Sequence, residues 1–391
     1  MRKGRKTIPI VLCFSLMLSG CGSIYSNYLE VEQLLVIETM GFDYLPGGVQ
    51  LTLASGLSGS EGDVKLSGVG ATVSAALDQA RNYSFEDELF CSQTNSILIG
   101  EPAAKRNMEP YLSYICQSPI LRTDVPVFII RGGSAFESIM ESGDSRHGVS
   151  EILKGVTEYL ETRGGSHIFK ASQISRDSLR HGSALCCALE FSQSAEPPAG
   201  EAPSAGEEAA QSARTLAVAG LGIIKDSRLV EYIDQEAAIG VAFLINKVGV
   251  SRVELKDAME REIVLEISSG SSRILPRWDE AGELLGLDIS LEAEATVTEM
   301  NDNADLSRES YAQQLTGALE EHLAQLVGDV LKQSARLEAD FLALGSQVEQ
   351  HSPLLFRHLN KSFSELLPAL EFRIAVRARL SHTNDMKESL T

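Results

Sequence analysis

Twenty-two residues in the middle of the chain, Ser192 to Ala213 (SQSAEPPAGEAPSAGEEAAQSA), contain only Ala, Glu, Gly, Pro, Gln and Ser. A stretch without bulky apolar side chains cannot bury enough area to offset the cost of ordering it, about 1–2 kcal/mol per residue for the backbone alone. The rest of the 391-residue chain must therefore fold around this segment. The reading is an N-terminal domain over 21–191, a disordered linker over 192–213 and a C-terminal domain over 214–385, the last divisible into units of about 214–262 and 263–385.

Residues 1–20 read as a leader. Arg2, Lys3, Arg5 and Lys6 precede an apolar run from Ile8 to Leu18, too short for a bilayer crossing. Leu18-Ser19-Gly20-Cys21 then places a cysteine behind small residues, the pattern of a bacterial lipoprotein cleavage site. The Cys21 thiol would take a diacylglyceryl group, and a peptidase would cut before it. Buried methylenes contribute about 0.8 kcal/mol each, so two acyl chains suffice for stable attachment. The expectation is a water-soluble body tethered to the outer face of the cytoplasmic membrane, with no cofactor beyond the lipid on Cys21.

Charge limits the partners. The formal net charge is −20, and residues 1–20 hold four basic and no acidic residues, so the mature chain is more acidic still. Such a body is a poor match for nucleic acid or for anionic lipid. Of the cysteines outside the leader and the lipid site, Cys91, Cys116, Cys186 and Cys187, the adjacent pair would point to opposite faces of a strand. Reduced, buried thiols are favoured, with a Cys91–Cys116 bridge as the alternative.

The periodicities favour an α+β class, with mixed or antiparallel sheets flanked by helices. Leu34–Phe42 reads as a strand and pairs in a hairpin with the alternating Val49, Leu51 and Leu53. A helix follows from about Ala71, with Val73, Ala76, Leu77 and Ala80 on one face. Further strands are read at 96–99, 125–130 and 183–191, and helices at 109–116, 134–140 and 149–162. Beyond the linker come a hairpin around Asp226-Ser227, a helix near 235–245, and strands at 263–268 and 287–299. A long helix over about 308–337 carries Leu315, Leu319, Leu323, Leu326 and Val330 in one stripe, with Asp305 or Ser307 as its cap. The last strand alternates Leu370, Phe372, Ile374, Val376, Ala378 and Leu380 with polar residues. Arg373, Arg377 and Arg379 would form a basic stripe on its outer face. That stripe is either a solvated surface or a contact for an acidic partner surface or lipid headgroups.

No catalytic constellation stands out. Gly132-Gly133-Ser134-Ala135-Phe136 lacks the last glycine of a nucleophile elbow, and no Ser-x-x-Lys or Walker loop occurs. Gly68-Val69-Gly70-Ala71-Thr72-Val73 ends in Val where a dinucleotide fingerprint needs Gly or Ala, so a tight turn into a helix explains it better. Asn301-Asp302-Asn303-Ala304-Asp305 has Leu306 and Ala312 where a calcium loop needs Gly and Glu. The histidines show no ligand spacing, and His351 and His358 read as surface residues.

Taken in order, these stretches resemble the Ger(x)C family, the lipoprotein C subunits of nutrient germinant receptors in spore-forming bacteria. The resemblance rests on the lipid-site cysteine, Met40-Gly41-Phe42-Asp43 with the strand after it, and Phe90–Ala104 (FCSQTNSILIGEPAA). It continues through Leu121-Arg122 with Val125–Gly132, Gly220–Asp226 with Leu229-Val230, Ala339–Gly345 after the long helix, and Pro353–Arg377. The chain departs from the family pattern at Gly22-Ser23, where Trp-Asp is common, and in its low-complexity insertion. The resemblance implies a non-enzymatic subunit on the outer face of the inner spore membrane, working with integral-membrane A-type and B-type subunits. It implies no ligand residue. A solute-binding lipoprotein is the alternative, for which two α/β lobes around a cleft are expected; a lipid-anchored envelope hydrolase is a third.

Overall fold

The computed structural model describes residues 34–56, 63–84, 88–142, 148–162, 167–193, 214–256, 260–300 and 309–381. Cys21, the Asn301–Asp305 loop and the caps read at Asp305 and Ser307 lie outside the described residues.

Strands β1 (Leu34–Leu45) and β2 (Gly48–Ser55) form the expected hairpin, closed by Pro46 and by Gly47 at φ +89°. β3 (Lys65–Gly70) adds antiparallel to β2 and leads into α1 (Val73–Arg81). Thr72 caps α1 by accepting from the Ala75 N–H at 3.2 Å, and Val73, Ala76, Leu77 and Ala80 are the buried face. The Gly-x-Gly run has a packing reason: a Cβ at Gly68 would collide with the Ala76 carbonyl, so glycine lets α1 lie directly on the strand.

β4 (Glu88–Phe90) pairs with the start of β1, and β5 (Ser96–Gly100) runs parallel to its later part. Helices α2 (Glu101–Arg106) and α3 (Glu109–Gln117) precede β6 (Val127–Arg131). Next come α4 (Ala135–Glu141), α5 (Val149–Thr162), α6 (Ala171–His181) and β7 (Ser183–Gln193). The sequence pattern did not foresee α2, α6 or β3. α6 buries only Ala171 and Ile174, too thin a stripe to announce itself as a period.

β8 (Arg214–Lys225) and β9 (Arg228–Ile233) make the hairpin at Asp226-Ser227, whose φ values of +49° and +62° suit the right-handed twist of the flanking strands. The first sheet runs β3-β2-β1-β5-β6-β7-β8-β9, with β1, β5, β6 and β7 parallel. β7, which takes in Ser192 and Gln193 at the start of the low-complexity segment rather than leaving them to a disordered linker, pairs antiparallel with β8 from Ser183↔Lys225 to Gln193↔Arg214. Residues 214–233, on the C-terminal side of the low-complexity segment, therefore complete the first sheet. The reason is burial: Ser183 to Leu189 are buried throughout, so β7 needs a neighbour on each side. Within the low-complexity segment, 194–213 lie outside the described residues.

The second sheet runs β10-β11-β12-β13: β10 (Ser251–Lys256), β11 (Glu262–Trp278), β12 (Leu284–Met300) and β13 (Glu371–Ser381). α7 (Ala237–Leu244) is buried at all but its first residue and touches β8, β11 and α8 (Glu309–Leu337), joining the two sheets. α8 is the crossover between the parallel strands β12 and β13, and its predicted Leu/Val stripe is buried. α9 (Leu344–His351) turns away from its end. The architecture is α+β, with mixed sheets flanked by helices and a long helix before the last strand.

Candidate functional site

β13 carries the arginine stripe. Its even-numbered residues pack toward α8, with Ile374 3.6 Å from where a Cβ on Gly328 would stand, while Glu371, Arg373, Ala375, Arg377 and Arg379 are exposed on the other face. The register sets Asp288 opposite Arg373, Glu292 opposite Arg377 and Glu294 opposite Arg379. Arg373 meets Glu371 at 3.2 Å, and Arg277 reaches both Glu371 (2.9 Å) and Asp288 (3.2 Å). Arg377 and Arg379 have no ion pair among the described residues. Glu294 instead accepts from Ser269 Oγ at 3.1 Å. The stripe thus divides: Arg373 is tied into an acid–base strut, and Arg377 and Arg379 stand free at the rim of a dent of about 210 Å³ with Ser269, Ser271 and Glu292. Exposed pairs of this kind contribute about 0–1 kcal/mol to stability.

Two buried aspartates hold the fold together at its turning points. Asp43, at the end of Gly41-Phe42-Asp43, accepts from the N–H groups of Ala135 (2.9 Å) and Phe136 (2.7 Å) and so receives the first turn of α4. Burial pushes its carboxyl pKa up against the lowering effect of these two bonds. Gly100 stands where any Cβ would strike the Asp43 carboxylate, which explains the glycine ending the SILIG strand. Beside it Glu101 accepts from the Gly132 N–H and from Tyr232 Oη (2.9 Å), tying α2 to β6 and β9.

Asp340 does the same at the α8–α9 corner. Its oxygens accept from Leu344 N–H (2.7 Å) and Gly345 N–H (2.9 Å), and burial raises its pKa to about 7. Glu338 and Ala343, on either side, both adopt positive φ, at +48° and +55°. Across the seam stands His181, at the end of α6. Its Nδ1 lies 3.6 Å from Asp340 and its Nε2 3.2 Å from Ser346 Oγ; burial lowers its pKa. The three line a cleft of about 860 Å³ with Arg180, Lys225 and Glu349. Arg180–Glu349 (2.9 Å) and Lys225 to the Leu337 carbonyl (2.7 Å) close the same seam.

Ser346, His181 and Asp340 have the residue types of a hydrolytic triad but not its electrostatics. A triad aspartate stays ionised and accepts a hydrogen bond from Nδ1. Here both oxygens already serve α9, and burial favours the protonated acid. The arrangement is a joint between the two halves. The sequence reading missed it because His181 lies 159 residues before Asp340 and no spacing signals the pair.

The remaining expectations are simply placed. Cys91, Cys116, Cys186 and Cys187 are free; Cys116 is half-buried and the others are buried, with burial raising Cys91 to about 11 and Cys187 to about 12. His351 and His358 are exposed. Among the described residues no helix is long and apolar enough to cross a membrane, and no group of three His, Cys, Asp or Glu side chains is placed to hold a metal.

Comparison with known proteins bears on the whole chain. Residues 27–189 match the family model described as "Spore germination protein N-terminal domain", and residues 219–384 match "Spore germination B3/ GerAC like, C-terminal". No curated protein matches the sequence. The fold is similar to that in the "Crystal Structure of the GerBC protein", with a TM-score of 0.57 at 16% identity, covering 87% of this chain and 96% of that one. With both domain models matched in order and the fold shared over most of the length, the chain belongs to the Ger(x)C family of germinant-receptor C subunits.

Proposed function

We propose that this protein is the lipid-anchored C subunit of a nutrient germinant receptor, attached through Cys21 to the outer face of the inner spore membrane. It works by contact with integral-membrane A-type and B-type subunits, supporting receptor assembly or signalling, and it takes no cofactor. The observation that carries the reading is the ordered match of both spore-germination domains behind a lipoprotein-type leader. The outer face of the second sheet, where Arg377 and Arg379 stand unpaired among the described residues, is the contact surface we assign to an acidic patch on a partner subunit.

The test is nutrient-triggered dipicolinate release from wild-type spores, spores lacking the gene and spores carrying Cys21→Ala. Loss of release to at least one nutrient in the deletion, with a weaker response in Cys21→Ala, is expected. Equal release from all three across a broad nutrient panel would contradict the reading. Arg377→Glu with Arg379→Glu should lower release without lowering the amount of folded protein.

A further inference from the structure

Apart from the three-residue β4, which pairs only with β1, four strands end the two ladders, and three of them are covered. On β3, Gln79 of α1 accepts from the Val69 N–H. On β9, Gln333 of α8 donates to the Tyr232 carbonyl at 3.2 Å while Arg336 grips Glu231. On β13, Glu320 of α8 accepts from the Ala378 N–H at 2.9 Å. β10 differs. Among the described residues, the backbone of Arg252 to Lys256 bonds only to β11, leaving the outward N–H and C=O groups unpaired. An open edge of this kind is a template for another strand.

The side chains say which strand. β10 alternates strictly, with Ser251, Val253 and Leu255 buried and Arg252, Glu254 and Lys256 exposed. A twofold axis perpendicular to the sheet, which would extend it across two copies, pairs residues of the same face. Centred on Glu254, it sets Glu254 against Glu254 and Arg252 against Lys256; centred on Arg252, it sets arginine against arginine. Centred on Val253, it sets Arg252 against Glu254 of the second copy, twice. Opposite charges directly across a strand pair are favourable and like charges are not. Glu254 has no ion pair of its own among the described residues, and Arg252 lies only loosely against Glu266, at 3.7 Å. The same register carries the second copy's Lys256 opposite Val250. Beside that edge lies a groove of about 470 Å³ lined by Tyr159, Glu236 and Ile239, with Tyr159 46% exposed.

We infer that β10 is a self-association edge, through which two copies of this chain join antiparallel, centred on Val253, into one continuous eight-stranded sheet. The interface is small and belongs to the weak, transient class. A register centred on Leu255 would also set Glu254 against Lys256, but Lys256 already meets Glu260 at 3.5 Å and stands at the end of the strand, so the Val253 register is the favoured one. The inference does not depend on the receptor reading.

The test is sedimentation equilibrium of the full chain in mild detergent, at about 0.15 M salt, where screening beyond about 8 Å subdues the general repulsion of two acidic bodies. A reversible monomer–dimer equilibrium is expected at or below about 100 µM. Arg252→Glu alone, or Glu254→Arg alone, should weaken it at least tenfold, and the double exchange should restore it to within about threefold. Hydrogen exchange of the 251–256 amides should slow as concentration rises in the wild type and not in the single variants. Circular dichroism confirms that each variant is folded; both positions are exposed, so both singles are expected to fold. A protein monomeric throughout this range, a dimer indifferent to either single change, or a double exchange that restores nothing would each overturn the inference.

Discussion

Asp43 and Asp340 use the same device in different settings. Each is buried, each gives its two oxygens to successive amides at the start of a helix, and burial raises the pKa of each. Asp43 joins β1 to α4 within the first sheet, and its charged neighbour is Glu137. Asp340 holds the α8–α9 corner and faces His181 from the first sheet's side of the seam. One carboxylate is sealed inside a half; the other links two halves and sits beside His181, whose pKa burial lowers. The lesson is that the same cap can serve within one sheet or across a seam, depending on what packs beside it.

Breaking each cap is the most severe test. Asp43→Ala leaves two amide donors without their acceptor and opens a void beside Gly100, so a loss of about 2–4 kcal/mol is expected. Urea unfolding should show a lower midpoint at unchanged slope. Asp340→Ala should cost about 2–3 kcal/mol by the same mechanism. Its loss should loosen the seam, so that amides of α9 exchange faster while those of β1 and α4 do not.

Asp340→Asn sharpens the comparison through pH. The folded-state pKa of Asp340, about 7, lies above the unfolded value of 3.8, so its contribution to stability is full below about 3.8 and is lost as pH rises toward 7. His181 works in the opposite sense. Its folded-state pKa is lowered from 6.5, so its contribution is present above 6.5 and is lost as pH falls through the lowered value. In the wild type the two partly cancel on mild acidification. In Asp340→Asn the gain on lowering pH from 7 to 4 should vanish, leaving a steeper loss below 6.5; in His181→Gln the loss should shrink. A melting-temperature profile over pH 4–8 that is the same in all three proteins would show that the seam does not titrate.

The smallest effect is expected on β13. Arg377→Glu and Arg379→Glu, on an exposed face without ion pairs among the described residues, should each change stability by no more than about 0.5 kcal/mol. Arg373→Glu should cost slightly more, because it removes the contact with Glu371 and places an acid opposite Asp288. Thermal melts of the three variants, compared side by side, separate the strut from the free cations.

Elements with a dense period were legible in the chain: the face of α1, the stripe of α8 and the alternation of β13 each repeat at the spacing their geometry demands. β11 was legible only as far as Ser268, because Ser-Gly-Ser-Ser at 269–272 looks like a loop; Gly270 is there to admit the Phe243 ring of α7. The arginine stripe was readable as a face, but the division between Arg373 and its two neighbours depends on Asp288, Glu292 and Glu294 one strand away. Asp43 and Asp340 were visible only as members of family-like motifs, without their role as caps.

By itself the sequence determined the α+β class, the order of most elements and the family. These are local: hydrophobic period, turn residues and motif order are properties of neighbouring positions. The tertiary structure alone decided that residues 214–233 complete the first sheet, that His181 meets Asp340, and that β10 is left with an open edge. Each depends on residues distant in the chain arriving at one place, and a strand's need for a partner does not record which strand will supply it.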